Sequence, residues 1–272
     1  MNNNKLVKKS NALITAKYNL SKVEQKIILL IISMINKDDE NFHQYRFSIK
    51  DFFDNTDTDS KKNHSYIKNA FKGLLEKPIE IKEKDELIIC NWLSGVKINV
   101  AGYVDIEIYS GLKPYLLKLQ EKFTKYKIKN ILFLHSVYSI RIYELLKQFE
   151  STGIKQIEID ELRDILKIPK SYETKHLRPY VLEPAKKELA EKTDIKFTYE
   201  FKKQSRKFKS IIFNIEKNNN ASKSPNKQKE LYLSFEEMAD RCFKRNSALD
   251  DCVFNRTNYN PPYCKYCKVF KH

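Results

Sequence analysis

An α+β chain of two tandem winged-helix domains, with a short cysteine-containing C-terminal tail, is the architecture this sequence predicts, on three observations. One order of elements (helix, short strand, helix, helix, hairpin) runs twice through the first 215 residues. A local match links the copies. Phe47-Ser48-Ile49-Lys50-Asp51-Phe52 has the pattern of Ile157-Glu158-Ile159-Asp160-Glu161-Leu162, offset by 110 residues, and Leu75-Glu76-Lys77-Pro78-Ile79 resembles Ala190-Glu191-Lys192-Thr193-Asp194-Ile195 with one residue inserted. The length of 272 residues suggests two domains at roughly 100–200 residues each.

The elements follow in order. Ser21-Lys22-Val23-Glu24 is a capping box, in which the hydroxyl and the carboxylate each satisfy an orphan amide. Ile27, Leu30, Ile31, Met34 and Ile35 then keep the 3.6-residue period of a buried helix face. An extended piece, Tyr45-Arg46-Phe47, precedes a helix capped by Ser48, and a third helix runs over roughly 61–75 until Pro78 closes it. Strands are expected at Ile79/Ile81, over Leu87 to Leu93, and at Val104/Ile106/Ile108, the last alternating with Asp105 and Glu107.

In the second copy, Ser136 caps a helix carrying Ile142, Leu145, Leu146 and Phe149, and Gly153 breaks it. A short strand at 156–159 and a small helix at 160–166 follow. Leu177, Val181, Ala185 and Leu189 then share one face of a longer helix, which must start near Pro179 or bend at Pro184, since each proline lacks an N–H. Ile195, Phe197, Tyr199 and Phe201 alternate with polar residues as a half-buried strand, and the return strand runs from Phe208 to Ile215. The domains are read as 1–130, including a basic connector, and 131–217. A flexible linker at 218–230 and a Cys-rich tail at 231–272 complete the chain.

With 51 Lys+Arg against 35 Asp+Glu, a net charge of +16 and a pI near 9.4, the chain suits a polyanionic partner, with double-stranded DNA leading. The five glycines form neither a nucleotide-binding phosphate loop nor a dinucleotide fingerprint. No apolar run approaches the ~20 residues that span a bilayer, and the N-terminus lacks a signal-peptide core, so a cytoplasmic protein without membrane contact is expected. A rolling-circle nicking enzyme would need a His-hydrophobic-His pair, and no two of His43, His64, His135, His176 and His272 are two residues apart. No catalytic residue is assigned and no cofactor is required, so the chain is not read as an enzyme.

In a helix-turn-helix the second helix enters the major groove with its N-terminal side chains at base edges. In the second unit, Ser171, Lys175, His176 and Arg178 can donate there, and Tyr172 can pack against a sugar or a thymine methyl. The wing adds Lys202, Lys203, Arg206, Lys207 and Lys209 with no acid among them, a composition suited to phosphate; the competing reading is a solvated lysine hairpin. The first unit offers Lys61, Lys62, Asn63, His64, Tyr66 and Lys68, or else a solvated face on a dimerisation domain. Between the units, Lys113, Lys118, Lys122, Lys125, Lys127 and Lys129 face only Glu121, as a backbone-following connector or a solvated face.

Leu6-Val7-Lys8-Lys9-Ser10-Asn11-Ala12-Leu13 followed by Leu20-Ser21-Lys22-Val23-Glu24-Gln25-Lys26 resembles the opening of the iteron-binding, theta-type plasmid replication initiators, the RepB-like family. Phe123-Thr124-Lys125-Tyr126 with Ser136 to Leu146, and Val181-Leu182-Glu183-Pro184-Ala185 with Thr193-Asp194-Ile195, resemble its domain junction and recognition-helix region. The resemblance spans roughly residues 5–215. It implies a protein that binds direct repeats at a plasmid origin as a monomer, with both units on one repeat. It also implies melting of adjacent AT-rich DNA, recruitment of the host initiator and replicative helicase, and a homodimer in equilibrium with the monomer that represses its own gene. By the same resemblance Arg141 contacts phosphate or forms a structural salt bridge. The alternative is a repressor of the same architecture.

In the tail, Cys242, Cys252, Cys264 and Cys267 include one compact Cys-x-x-Cys pair. Structural zinc, with His272 as a substitute ligand, free thiols and an iron–sulfur cluster remain the readings. The resemblance does not reach this segment.

Overall fold

A computed structural model describes residues 5–54, 56, 64–205 and 207–219. Lys61, Lys62, Asn63, Arg206, most of the linker, and the tail with its four cysteines lie outside the described residues.

The chain opens with β1 (Leu6–Ser10) and α1 (Asn11–Thr15). The first winged helix is then built from α2 (Lys22–Ile32), β2 (Tyr45–Ser48), α3 (Ile49–Asp54) and α4 (His64–Glu76). Strands β3 (Ile79–Glu83), β4 (Glu86–Cys90), β5 (Leu93–Ile98) and β6 (Tyr103–Ile108) follow. A junction of α5 (Lys113–Leu116), β7 (Phe123–Lys127) and α6 (Lys129–Leu132) leads to the second unit. That unit comprises α7 (Val137–Lys147), β8 (Ile154–Glu158), α8 (Ile159–Leu166), α9 (Thr174–Leu177), α10 (Glu183–Lys192), β9 (Ile195–Gln204) and β10 (Lys207–Lys217).

The two three-stranded sheets have the same antiparallel order, β2-β6-β5 and β8-β10-β9. The residues matched at the 110-residue offset occupy equivalent places: Phe47 pairs Val104 across its sheet, and Ile157 pairs Ile211. Phe47, Ile49 and Phe52 are buried, as are Ile157, Ile159 and Leu162. Burying such a side chain contributes about 1.5–3 kcal/mol, and one apolar cluster runs through both units.

Both opening helices carry the predicted serine cap. Ser21 Oγ accepts from the Glu24 amide while the Glu24 carboxylate accepts from the Ser21 amide at 2.7 Å, and Ser136 Oγ accepts from the Tyr138 amide. Ser48 Oγ accepts from the Asp51 amide at 3.2 Å.

The apolar run predicted as one strand over 87–93 is two strands. Asn91-Trp92 separates them, because Trp92 turns inward and packs edge-on against Tyr18. Strand β3 pairs with β4 and, through Glu80, bridges Lys17, so the first unit inserts a hairpin ahead of its wing strands β5 and β6. The match at Ile79 and Ile195 therefore leads into different sheets.

The units meet along their opening helices. Helix α2 packs on α7, and the ribbon of β1 and β7 runs beside both helices. Its inward residues, Val7, Lys9, Thr124 and Tyr126, are buried.

Candidate nucleic-acid interface

The reading region of the second unit is one continuous helical path in three parts: α9, a π-helical turn at Arg178–Leu182, and α10. The prolines account for the middle part. Pro179 and Pro184 donate no hydrogen bond, and a proline ring crowds the carbonyl four residues back. The wider turn relieves that crowding, and the Glu183 amide reaches back five residues to the Arg178 carbonyl. Leu177, Val181, Ala185 and Leu189 all face the core with no exposure.

The opposite face carries the polar and aromatic groups. Ser171, Lys175 and Arg178 are exposed, and Tyr172 and His176 are half-buried. Tyr172, His176 and Tyr180 form a three-ring cluster with centroids 5.7–5.9 Å apart. His176 Nδ1 accepts from the Glu173 amide at 3.0 Å, which assigns that nitrogen as the acceptor in the neutral ring. Lys175 sits 3.1 Å from Glu173 and, through that hydrogen bond, holds its carboxyl below the ordinary glutamate range.

Arg178 links helix to wing. Its guanidinium lies 6.0 Å from the Tyr199 ring and 5.7 Å from the Phe201 ring, both on β9. Tyr199 in turn donates to the Glu183 carboxylate at 2.5 Å, and burial followed by that bond pushes its phenol up. The wing turn is tight, with Ser205 in the left-handed region at φ 57, as two-residue hairpins with their primed turns require. A bulge between Phe208 and Ser210 leaves Lys209 outside the ladder, a device that re-aims a side chain near functional sites.

Lys202, Lys203, Lys207 and Lys209 are all exposed. Acids stand beside two of them: Glu200, two residues back on the same strand, at 3.5 Å from Lys202, and Glu158, brought across the sheet by folding, at 3.4 Å from Lys209. Lys203 lies over the Phe208 ring at 5.1 Å. Exposed pairs of this kind contribute about 0–1 kcal/mol and exchange readily for phosphate.

Two exposed aromatic groups join this surface beyond the residues expected to touch DNA. Tyr180 is 57% exposed and Phe208 46% exposed beside the lysines. The spacing of 172, 176 and 180 is a readable signal, three rings at four-residue intervals, Tyr172 just ahead of α9 and the other two on the helical path.

Lys68 is exposed on α4 and Tyr66 half-buried there. The connector lysines divide: Lys118 pairs with Glu40 at 2.7 Å and Lys113 donates to Asn41, while Lys125 stands directly across the ribbon from Lys8. Arg141 takes the second of its two sequence readings. It is 3% exposed, donates to the carbonyls of Ala16 and Ile165 at 2.7 and 3.2 Å and to the Tyr18 hydroxyl, and stacks 3.9 Å from the Tyr18 ring centroid. It is a structural residue between the units, out of reach of a phosphate. The phosphate reading fails because the local helix pattern could not place Tyr18 and Ala16 across the seam.

No helix among the described residues is long and apolar enough to cross a membrane, and none of their His, Cys, Asp and Glu side chains form a group of three suited to a metal ion.

Tandem winged helices, each with an exposed reading-helix face and a wing, define a DNA-binding protein. Residues 6–147 match the family described as Initiator Replication protein, WH1, and residues 158–215 match Initiator Rep protein, WH2. The chain belongs to this replication-initiator family, and it is a replication initiator that acts by binding DNA. A replication initiation protein of Escherichia coli is 27% identical over 223 residues, covering 78% of this chain and 69% of that protein. An uncharacterized 27.6 kDa protein of Escherichia coli is 25% identical over 223 residues, covering 76% and 93%. In the crystal structure of Pi initiator protein in complex with iteron DNA the fold recurs with a TM-score of 0.66 at 18% identity, covering 79% of this chain and 98% of that one.

Proposed function

We propose that this initiator binds directly repeated duplex sequences at a plasmid origin, with both winged helices on one repeat, and that it recruits the host initiator and replicative helicase without catalysing a reaction itself. The observation that carries the reading is the second-unit surface. A reading helix and a lysine wing are joined there by Arg178 stacked on Tyr199 and Phe201, in a chain whose first unit repeats the same strand order. In this reading Ser171, Tyr172, Lys175, His176 and Arg178 face base edges. Lys202, Lys203, Arg206, Lys207 and Lys209 hold phosphates, as do Lys61, Lys62, Asn63 and Lys68 of the first unit. The relative solved with iteron DNA supports the class of target, and the monomer–dimer equilibrium belongs to the same proposal.

Footprinting on the DNA flanking the gene tests it. The expected pattern is protection of direct repeats about two helical turns long beside an AT-rich tract, with hydroxyl-radical protection in two grooves of each repeat. Protection of a single operator with no repeats and no origin would leave a repressor and overturn the initiator assignment.

A further inference from the structure

Between the two units lies a buried charged group that contacts no exposed surface. Glu144, on α7 of the second unit, has no exposure. One of its oxygens accepts from Lys9 Nζ of β1 at 2.8 Å and from the Tyr126 hydroxyl of β7 at 2.6 Å. The other faces the Tyr18 hydroxyl at 3.5 Å and the Arg141 guanidinium at 3.8 Å. Lys9 is likewise fully buried. One carboxylate therefore serves two buried cations.

Its partners come from three places: β1 and the segment after α1 ahead of the first unit, β7 at the junction, and its own helix. The chain of directional bonds continues outward. Arg141 reaches Ala16 on one side and Ile165 on the other, and the Tyr126 ring packs edge-on against Tyr143, which donates to Asp194 at the foot of the wing strand β9.

Nearby, the buried Lys26 Nζ of α2 donates to the Leu132 carbonyl at 2.6 Å. Two ion pairs across this seam are of a different kind. Lys17 with Asp164, and Lys167 with Glu80 at 3.0 Å, are solvent-exposed pairs. Such pairs are weak and screened by salt. The hydrophobic driving force is non-directional, and side-chain interdigitation restricts the angle only to broad classes with about 15–20° of scatter. The Glu144 cluster is directional and excluded from water, and unpairing it leaves buried charge, so only one arrangement of the units satisfies it.

We propose that Glu144 is a positioning residue for repeat binding: by holding Lys9 and Arg141 against one carboxylate it sets the distance and angle between the two DNA-reading units, and so the spacing of the two half-contacts within a repeat. This rests on the reading that both units grip one repeat. It differs from a purely structural role in what it controls, namely tolerance to altered spacing within the DNA and not affinity alone.

The test uses the full chain and a duplex carrying one repeat mapped by footprinting. The repeat is used at its natural spacing and with one, two or three base pairs inserted between the two protected segments. Two units held rigidly act as a linked pair whose joint binding exceeds either alone by about 100-fold or more, so the wild type is expected to lose on the order of 100-fold on a two-base-pair insertion. Glu144→Gln is expected to bind the natural repeat about 10-fold more weakly yet lose less than about 3-fold on insertion, with an unchanged salt slope, because no phosphate contact is altered. Lys9→Met leaves Arg141 and Glu144 as a neutral pair and is expected to relax spacing in the same direction; it decides the matter if Glu144→Gln does not fold. An insertion penalty in the variants equal to the wild type's overturns the positioning role. A wild type indifferent to insertion shows instead that the units do not share a repeat, and sinks the underlying reading.

Discussion

The wing of the second unit and the wing of the first are equivalent hairpins in two sheets of the same strand order, β9–β10 and β5–β6, and their tips differ in chemistry. The second tip carries Lys202, Lys203 and Lys207 with Lys209 raised on a bulge. The first closes over Asn99-Val100-Ala101-Gly102, with the Asn99 side chain accepting from the Tyr103 amide, Gly102 at φ 82, and Val100 fully exposed. A duplicated fold thus retains its buried positions, Phe47 with Val104 and Ile157 with Ile211, while its surfaces diverge. Core positions answer to packing, which is the same problem in both copies. Tips answer only to what they touch, and the lysine-bearing second wing is the one whose composition suits phosphate.

The largest effects test the shared part. Phe47→Ala is expected to cost about 3–5 kcal/mol and Ile157→Ala about 2–5 kcal/mol in chemical denaturation, as for any large-to-small change in a closed core. A loss at one position with none at the other would break the equivalence of the units.

Next comes the seam between them. Burial alone would raise the Glu144 carboxyl, but Lys9 and Arg141 outweigh it and hold it below the ordinary glutamate value. A carboxyl depressed by folding contributes stability above its unfolded value, about 4.3, and loses it as pH falls toward the lower folded value. The melting temperature is therefore expected to drop as pH is taken below about 4, and the acid limb should be flatter in Glu144→Gln. Identical acid limbs would remove Glu144 from the account of stability.

The smallest effects separate the wings. Replacing Lys202, Lys203 and Lys207 together by Ala should lower the slope of binding against salt concentration by about 3, close to one per phosphate contact. Val100→Ala should leave it alone, and Val100→Lys should raise it by no more than about 1. Equal sensitivity of both tips would erase the contrast.

Much of this was readable before any coordinates. Capping serines at 21 and 136 announce themselves because a cap is decided within four residues, and the 110-residue match survives because both copies bury the same positions. What could not be read depends on partners far along the chain. Arg141 has the helix position of a phosphate ligand, and its burial follows from Ala16 and Tyr18, while Lys9 meets Glu144 across 135 positions. Glu158, the acid beside Lys209, becomes visible only once strand register is known. The break between β4 and β5 was hidden because an apolar run reads the same whether it continues or turns a tryptophan inward.

The π-helical turn at Arg178–Leu182 has a consequence for the phase of the reading helix. Side chains four residues apart in a regular α-helix drift by about 40° per step, so Leu177 and Leu189 would point about 120° apart. Here both, with Val181 and Ala185 between them, face the core, because the wide turn takes up the excess rotation. Tyr180, within the turn, meets the His176 ring of α9 and the Tyr172 ring of the segment before it on the outer side. The repeated four-residue interval is thus a record of the turn itself, and deleting a single residue within 178–182 would swing the whole of α10 out of register with the rings that precede it.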